Sequence, residues 1–374
     1  MRMLIVVVLL MALVFIPVAT AKAVTFDLDK IYNTPLIDDS GCYIVLPGME
    51  MPLNATCVIK LDKYPERIVS IAPSETEILF AIGAGDKVIG VTEYCNYPPE
   101  VVEKKESGEL EVVGGYWTVD IEKVMALNPD VVIACGNPLE TIEELRYQGL
   151  NVIAFDSKVS IERVMEKIII LGSVTGHYEE AKDIVADMAN RIEEISETCR
   201  GLDKVRAAHV FWYSPIWVSG NGTYIDELIE LASGENVFSD IQNWGMVNPE
   251  DFLIKNPEVI IISGMGEEAE ILYNEIISND LIKYTDAVKN GRVYIINPDI
   301  IERPSYRLAE ALQRIAECLH PEAFGLKQAV VKYDTEQPYG KIGDVELINA
   351  IMDWLNNKLT DQELIDIIMA WLSS

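Results

Sequence analysis

The sequence predicts an α/β protein of two Rossmann-like lobes joined by a single long helix, with a small C-terminal helical hairpin. From residue 67 onward, short β-rich segments alternate with longer helical ones, which is typical of βα units around a mostly parallel sheet. One segment of the first half recurs in the second half. Between the halves, residues 178–199 have apolar residues at helical spacing and neither Gly nor Pro, which predicts one long amphipathic helix.

The predicted elements divide the chain into lobes. The first lobe spans 64–176, the linking helix lies within 177–203, and the second lobe spans 204–325. In the first lobe the predicted strands are 67–71, 87–91, 131–134 and 151–155, and the predicted helices are 75–82, 121–127, 139–147 and 161–175. In the second lobe the predicted strands are 207–211, 259–263 and 292–296, and the predicted helices are 225–232, 267–276 and 305–319.

The internal repeat aligns residues 119–136 with residues 247–264 without gaps. Glu122 matches Glu250, and an Asn-Pro pair follows at the same distance in each copy. A helix ends at each Asn-Pro because Pro cannot continue it, and a buried strand follows. The repeat therefore predicts two similarly built lobes with a cleft between them.

The N-terminus has the features of an export signal. An apolar run from Leu4 to Val18 follows Arg2, and small residues suited to cleavage come next. The run is short for a membrane span. We expect residues 1–23 to be a signal peptide and the mature protein to lie outside the cytoplasm; an uncleaved anchor helix is the alternative. No Cys stands at the junction to carry a lipid.

Composition restricts the partners and the metal chemistry. The formal net charge is −30, which argues against binding to nucleic acid or anionic lipid. A salt-adapted surface is the favoured explanation for this charge, ahead of a dedicated cation site. Cys42 and Cys57 are the best candidates for a disulfide, which would close a hairpin in the N-terminal extension, residues 24–63. The three histidines stand far apart and no C-x-x-C motif occurs, so we expect no structural zinc site.

Five segments carry a resemblance to a known family. They are 64–77 (YPERIVSIAPSETE), 88–98 (VIGVTEYCNYP), 114–117 (GGYW), 128–133 (NPDVVI) and 302–307 (ERPSYR). In order and spacing they resemble the substrate-binding proteins of cobalamin, iron-siderophore and haem importers, across roughly residues 64–324. The resemblance implies two lobes bridged by one helix, limited opening, and an ABC permease as partner.

The resemblance also implies roles for single residues. Glu122 and Glu250 match the acidic residues that meet basic groups of the permease, although ordinary glutamates at helix starts are the alternative. Tyr116 and Trp244 match pocket aromatics of the cobalamin binders. Cys135 stands where the cobalamin protein of enteric bacteria has tryptophan. This departure counts against cobalamin itself and leaves cobinamide, another corrinoid or a siderophore open. From the aromatic matches we expect a corrinoid ligand, cobalamin or cobinamide, with a ferric siderophore as the alternative and haem least favoured.

The loops at the strand ends hold the candidate ligand-binding side chains, because open α/β sheets bind ligands there. Most are aromatic, which suits a large flat ligand, although core packing is the alternative for any one of them. Arg303 is expected either to meet an acidic group of the ligand or to pair with Glu302 or Asp299. The candidates are Tyr94, Tyr116, Trp117, Trp212, Tyr213, Trp217, Trp244, Asp299 and Arg303.

The tail, residues 326–374, contains two similar helical segments, 347–355 and 364–372. The loop before them resembles a dockerin or EF-hand calcium loop, with Asp334, Glu336 and Glu346 as candidate ligands. Pro338 stands where an acid is wanted, so a decayed loop without calcium is the favoured interpretation. The hairpin is expected to dock on the main domain, to self-associate or to bind a surface partner.

The rival class is an enzyme that holds a metal cofactor through cleft cysteines, Cys95 and Cys135. The sequence has no G-x-S-x-G elbow and no H-E-x-x-H motif. The export signal and the paired glutamates favour a binding protein without a catalytic site or a resident cofactor.

Overall fold

A computed structural model describes residues 24–53, 55–264, 267–335, 342–356 and 358–373. The predicted signal peptide, residues 1–23, lies outside the described residues. Within the described part, no helix is both long enough and apolar enough to span a membrane.

The N-terminal extension is a small disulfide-linked unit. Its elements are α1 (Leu28–Tyr32), β1 (Tyr43–Val45) and β2 (Val58–Lys60). The structure contains the predicted disulfide between Cys42 and Cys57. The predicted hairpin is wrong, because β1 and β2 pair in parallel and the chain must cross back between them, which a hairpin turn does not do.

The extension is attached to the first lobe through buried polar contacts. The Asp38 carboxylate accepts hydrogen bonds from Arg146 at 2.9 Å and from the backbone N–H of Ala154 at 3.0 Å. Asp39 pairs with Arg163 at 2.7 Å. A buried carboxylate needs such partners to offset its desolvation, so these bonds fix where the extension sits.

The first lobe is a parallel five-stranded sheet in the order β5-β4-β3-β6-β7. Its strands are β3 (Ile68–Ser70), β4 (Val88–Val91), β5 (Glu111–Val112), β6 (Val131–Cys135) and β7 (Val152–Phe155). Its helices are α2 (Pro73–Ala81), α3 (Pro99–Ser107), α4 (Ile121–Ala126), α5 (Leu139–Tyr147) and α6 (Ile161–Thr175). The interior strand β6, between β3 and β7, is buried along its whole length, as expected when helices cover both faces of a parallel sheet.

The linking helix is α7 (Tyr178–Cys199), within the predicted segment. Its buried side includes Ala181, Val185, Met188 and Ile192. The helix packs closely on α6, where a Cβ added at Gly172 would lie 2.4 Å from the Ala181 Cβ. Gly at this position therefore allows the two helix backbones to approach each other.

The second lobe is a mixed six-stranded sheet in the order β11-β9-β8-β12-β13, with β10 paired to β8. Its strands are β8 (Val205–Trp212), β9 (Ile216–Ser219), β10 (Gly234–Asn236), β11 (Trp244–Val247), β12 (Val259–Ile262) and β13 (Val293–Ile295). Its helices are α8 (Tyr224–Leu231), α9 (Pro249–Lys255), α10 (Glu267–Ser278), α11 (Asp286–Lys289), α12 (Pro298–Ile301) and α13 (Leu308–Leu319). Strands β9 and β11, which the sequence pattern does not predict, add an antiparallel edge.

The tail forms a small helical unit on the second lobe. Its helices are α14 (Gln328–Tyr333), α15 (Asp344–Leu355) and α16 (Asp361–Leu372). They enclose a core that includes Val330, Ile342, Ala350 and Ile367. The buried Arg314 of α13 donates a hydrogen bond to the Val331 carbonyl at 2.6 Å. The hairpin thus lies against α14, which in turn is joined to the main domain. The predicted α/β fold is confirmed.

Candidate functional site

The cleft lies where loops at the carboxyl ends of the two sheets meet. Asn96 follows β4 of the first lobe, and Asp299 follows β13 of the second lobe. The Asn96 side-chain amide donates a hydrogen bond to the Asp299 carboxylate at 2.7 Å. The carboxyl edge of an open α/β sheet is where ligands usually bind, and the loops after β4 and β13 meet there.

A buried polar cluster joins the lobes beside the cleft. Glu77 on α2 has no exposed surface, and its carboxylate accepts hydrogen bonds from Arg303 at 2.8 Å and Ser305 at 2.7 Å. Arg307 lies 3.5 Å from the same carboxylate. Burial raises the pKa of Glu77, although both arginines act in the opposite direction. The cluster therefore holds the second lobe against the first.

The guanidinium of Arg303 is occupied by groups of the protein. Besides Glu77 it donates to the Asn96 side chain at 2.8 Å and to the Tyr94 carbonyl at 3.1 Å, and it pairs with Asp299. Of the two predicted salt-bridge partners, Asp299 is the one that the structure brings to it. Asp299 and Arg303 thus line the lobe interface as an ion pair.

Aromatic rings gather on the second lobe, on and beside strands β8, β9 and β11. The Trp244 ring lies edge-to-face with Phe211, with centroids 5.1 Å apart, and 6.3 Å from the ring of Tyr224. Trp217 lies 6.2 Å from Phe211. In the antiparallel register Met246 faces Trp217 and Trp244 faces Ser219, so Trp217 and Trp244 project to the same side of the sheet.

The first lobe contributes aromatic residues from two loops, one after β4 and one after β5. The Tyr116 hydroxyl donates a hydrogen bond to the Cys135 carbonyl at 2.8 Å, which orients the ring. The Trp117 ring packs edge-on against it at 4.8 Å, and its side chain is 68% exposed. Tyr94, in the loop after β4, is 43% exposed. A ring fixed in place next to two accessible rings is suited to contact with a flat ligand.

Tyr116 and Trp244 pack against the same buried core cluster, although they belong to different lobes. The phenol of Tyr224 lies between these regions. Burial raises the pKa of Tyr224, and Glu302, Cys135 and Tyr116 add to the shift. The Tyr224 ring lies 6.3 Å from the Trp244 ring and interacts electrostatically with Tyr116, so it links the surroundings of the two aromatic residues named by the resemblance. Phe211 and Tyr224 also belong to this group, and the sequence analysis did not name either of them. The alternation of side chains along a strand was a signal for Phe211, because it lies two residues after His209 on the same face of β8.

Two predicted cleft residues have other surroundings. Tyr213 packs against the separate core of the second lobe, and its hydroxyl accepts a hydrogen bond from Asn279 at 3.0 Å. Trp212 is 49% exposed, and its indole N–H donates to the Ser214 carbonyl at 3.3 Å. Sequence position put both in a loop at the strand end but did not fix the direction of either side chain.

A buried hydrogen-bond chain lies beneath the second-lobe aromatic residues. The His209 ring nitrogens contact the hydroxyls of Ser219 and Ser263, each at 2.6 Å. The Ser263 hydroxyl donates to the Glu302 carboxylate at 2.6 Å. Burial lowers the pKa of His209 to about 3 and raises the pKa of Glu302 to about 7. His209 is therefore neutral at ordinary pH.

The cleft cysteines do not have the properties of reactive thiols. Cys95 is buried with its sulfur 3.1 Å from the Thr76 hydroxyl and 3.2 Å from the Thr92 hydroxyl. Cys135 is also buried. Burial raises the pKa of both thiols, whereas nucleophiles and metal ligands need the thiolate. Among the described residues, no group of three His, Cys, Asp or Glu could hold a metal ion.

Two cavities lined by described residues lie away from the cleft, where the N-terminal extension meets α6 and α7. Their volumes are about 440 and 480 Å³. The first is lined by Phe26, Ile161, Arg200, Lys204, Glu227 and Leu231. The second is lined by Tyr32, Leu36, Tyr64, Ser173 and Tyr178. Neither contains a predicted ligand-binding residue.

The sequence profile of the periplasmic binding proteins matches residues 68–300. The chain belongs to this family. This chain is similar to a protein of Bacillus subtilis, the uncharacterised ABC transporter substrate-binding lipoprotein YvrC. The two are 30% identical over 274 residues, which are 71% of this chain and 83% of that protein.

A second relative of this periplasmic binding protein is the vitamin B12-binding protein of Vibrio cholerae. It is 30% identical over 257 residues, which are 68% of this chain and 89% of that protein. The crystal structure of a vitamin B12-binding protein of Vibrio cholerae superposes with a TM-score of 0.60 at 29% identity, covering 70% of this chain and 98% of that one. The match supports the two-lobed fold.

Glu122 and Glu250 occupy equivalent places on the two lobes of this binding protein. Each is exposed and stands at the second position of a helix, after the N-cap residues Asp120 and Asn248. The buried Val124 and the buried Phe252 hold the two helices on their sheets. The two carboxylates are therefore presented to solvent in the same way.

The two tail residues that were predicted as calcium ligands and that the structure describes, Asp334 and Glu346, bind other groups of the protein. Asp334 is buried and pairs with Arg314 at 3.1 Å. The Glu346 carboxylate accepts from the backbone N–H groups of Thr335 and Gly343, at 2.5 and 2.7 Å. Glu336 lies outside the described residues.

Proposed function

We propose that this substrate-binding protein captures a corrinoid, cobalamin or cobinamide, in the interlobe cleft and delivers it to the permease of an ABC importer. The observation that carries the proposal is the position of the buried Tyr224, whose ring lies 6.3 Å from that of Trp244 and which interacts electrostatically with Tyr116 of the other lobe. The resemblance identified Tyr116 and Trp244 as pocket aromatics, and Tyr224 supports a common site for them.

The surroundings of these rings suit a flat macrocycle. Trp244 is held by Phe211 and Tyr224, and Tyr116 is held by its hydrogen bond to the Cys135 carbonyl. Rings fixed before binding lose little conformational freedom when the ligand arrives. Apolar burial against aromatic faces then supplies affinity without a charged or covalent contact.

The relatives support the choice of ligand. The vitamin B12-binding protein of Vibrio cholerae is 30% identical over 89% of its length. The departure at Cys135 leaves a smaller side chain where the resemblance has tryptophan, so the bound corrinoid need not have the same orientation. A ferric siderophore and haem are the competing ligands in the test below.

The interlobe cluster favours a cleft that is formed before the ligand binds. Glu77 joins the lobes through Arg303, Arg307 and Ser305. Opening the lobes widely would leave the buried carboxylate without partners, which is costly. Together with the rigid helix α7, this cluster limits the movement available to the lobes.

Delivery requires recognition of the membrane subunits. We assign this role to Glu122 and Glu250, which are exposed on equivalent helices of the two lobes. Exposed carboxylates contribute little to folding stability but attract a partner that carries basic groups. One carboxylate on each lobe allows the partner to contact both lobes at once.

The experiment is a titration of the mature protein with dicyanocobinamide and cyanocobalamin, followed by tryptophan fluorescence. Trp244→Ala is expected to weaken binding at least about ten-fold, as for an aromatic anchor in a buried contact. Trp371→Ala, in the tail, is the matched control and is expected to bind as the wild type does. Circular dichroism checks that both variants fold. Equal affinities for the folded Trp244→Ala variant and the wild type would contradict the proposed site.

A further inference from the structure

Helices α4 and α9, which lie in the two copies of the internal repeat, both expose a glutamate and an apolar side chain. The second of these helices exposes more apolar surface than the first. Three residues after each glutamate stands an exposed apolar side chain, Met125 on α4 and Leu253 on α9, which are 42% and 40% exposed. Residues three apart on a helix lie on the same face. Each lobe therefore presents a carboxylate and an apolar group side by side.

The second lobe carries more apolar surface at this place. Ile254, which lies four residues after Glu250 on the same face of α9, is 82% exposed. In the first lobe the matched position is Ala126. Single exposed apolar residues are ordinary, but several together on one surface mark an interaction site.

Packing does not explain why these side chains face solvent. The buried Phe252 already fixes α9 on its sheet, as the buried Val124 fixes α4. Ile254 is not part of the core, so a polar residue at this position would leave the core packing unchanged. In a chain with a formal net charge of −30, an exposed isoleucine beside an exposed glutamate is suited to a partner with an apolar depression next to a basic group.

We propose that Ile254, with Leu253, forms the principal anchor of the surface with which this protein docks on the permease, and that the second lobe contributes more binding energy than the first. The proposal rests on the docking role assigned above to Glu122 and Glu250. The glutamates guide association and the apolar side chains slow dissociation, because rim charges act mainly on the association rate and desolvated anchors act on the dissociation rate.

The test is binding of the mature protein to its ABC importer reconstituted in lipid nanodiscs. Ile254→Ala is expected to weaken binding at least about ten-fold, mainly through faster dissociation. Met125→Ala, on the first lobe, is expected to weaken it less. Ile271→Ala changes the same residue type at a 59% exposed position on α10 and is expected to have no effect. Corrinoid affinity is expected to stay unchanged in all three variants.

Glu122→Gln and Glu250→Gln separate this inference from the proposed docking role. If both glutamine variants bind the importer weakly and Ile254→Ala binds like the wild type, the apolar anchor is wrong and the docking glutamates stand. Equal losses for Met125→Ala and Ile254→Ala would overturn the unequal contribution of the lobes. If no variant changes binding, the docking role fails together with the anchor.

Discussion

Asn128 and Asn256 have the same left-handed backbone conformation at the ends of equivalent helices in the two lobes. Their φ angles are 45° and 43°. A neighbouring arginine donates to each backbone carbonyl, Arg67 to that of Asn128 at 3.3 Å and Arg206 to that of Asn256 at 3.2 Å. In both copies of the internal repeat the helix thus ends with a left-handed Asn whose carbonyl accepts a hydrogen bond from an arginine. This shared ending determines where α4 and α9 stop.

The left-handed stop predicts a difference between two substitutions at Asn128. Asn128→Ala is expected to lower the free energy of unfolding by about 1 kcal/mol, because a Cβ without a compensating polar group is strained at positive φ. Asn128→Gly is expected to be neutral or stabilising. Urea denaturation of both variants gives the measurement. A larger loss for the glycine variant would show that φ is not the controlling factor.

The interlobe cluster predicts a strong dependence of stability on Glu77. Glu77→Ala leaves Arg303 and Arg307 next to each other without their shared carboxylate. Removing one member of a buried ion cluster typically costs about 3–5 kcal/mol. Denaturation of the variant measures the loss. The exposed Glu179, paired with Lys182, is the matched control, and Glu179→Ala is expected to leave stability unchanged. Equal stability of the two variants would contradict the cluster's role.

Glu302 predicts a specific pH dependence. Burial raises its pKa from 4.5 to about 7 in the folded protein, with Asp299 and Glu268 adding to the shift and Ser263 and Arg303 opposing it. The unfolded chain therefore loses this proton first as the pH rises. The stability that protonated Glu302 contributes is present below about pH 4.5 and is lost as the pH rises through about 7.

Glu302→Gln removes this titration and keeps the shape of the side chain. Between pH 4.5 and 7 the wild type is expected to lose on the order of 2–3 kcal/mol relative to the variant. The difference between the two proteins isolates Glu302 from His209, whose lowered pKa acts in the opposite direction. Parallel stability curves for both proteins over this range would show that Glu302 is ionised throughout.

The disulfide predicts the effect of reduction on the N-terminal extension. Cys42 and Cys57 are 15 residues apart, and a bridge across such a loop contributes about 3 kcal/mol. The Cys42→Ala/Cys57→Ala double variant is expected to unfold with a free energy lower by about this amount. Adding a reductant is expected to destabilise the wild type and not the variant. A reductant effect on the variant would point to another cysteine.

The sequence correctly predicted the helices whose ends carry capping residues or glycine. Helix α6 has the predicted bounds because Ser160 caps its start by accepting the Arg163 N–H, and Gly176 ends it at a φ of 82°. The short strands β9 and β11 were missed. Their pattern contains few residues, and pairing with β8 and with each other, not local propensity, makes them strands.

The site was predictable only in part, for a related reason. The resemblance predicted Trp244 and Tyr116 as pocket residues, because each stands six residues before a glutamate of the internal repeat. The partners of Arg303 do not, because Glu77 lies 226 residues away in the sequence. Tyr213 was placed in the cleft by its position after a strand, but contacts with Asn279 and the second-lobe core decide its direction. Such long-range contacts leave no local pattern.

The measurement that tests the central proposal most directly is a competition titration of the mature protein. The ligands are cyanocobalamin, dicyanocobinamide, haem and several ferric siderophores, followed by ligand absorbance and isothermal calorimetry. We predict saturable one-to-one binding of a corrinoid, with haem and siderophores unable to displace it. Binding of a siderophore or haem alone would contradict the corrinoid assignment and keep the importer role. If none of the ligands binds at concentrations well above micromolar, the cleft does not have the proposed function.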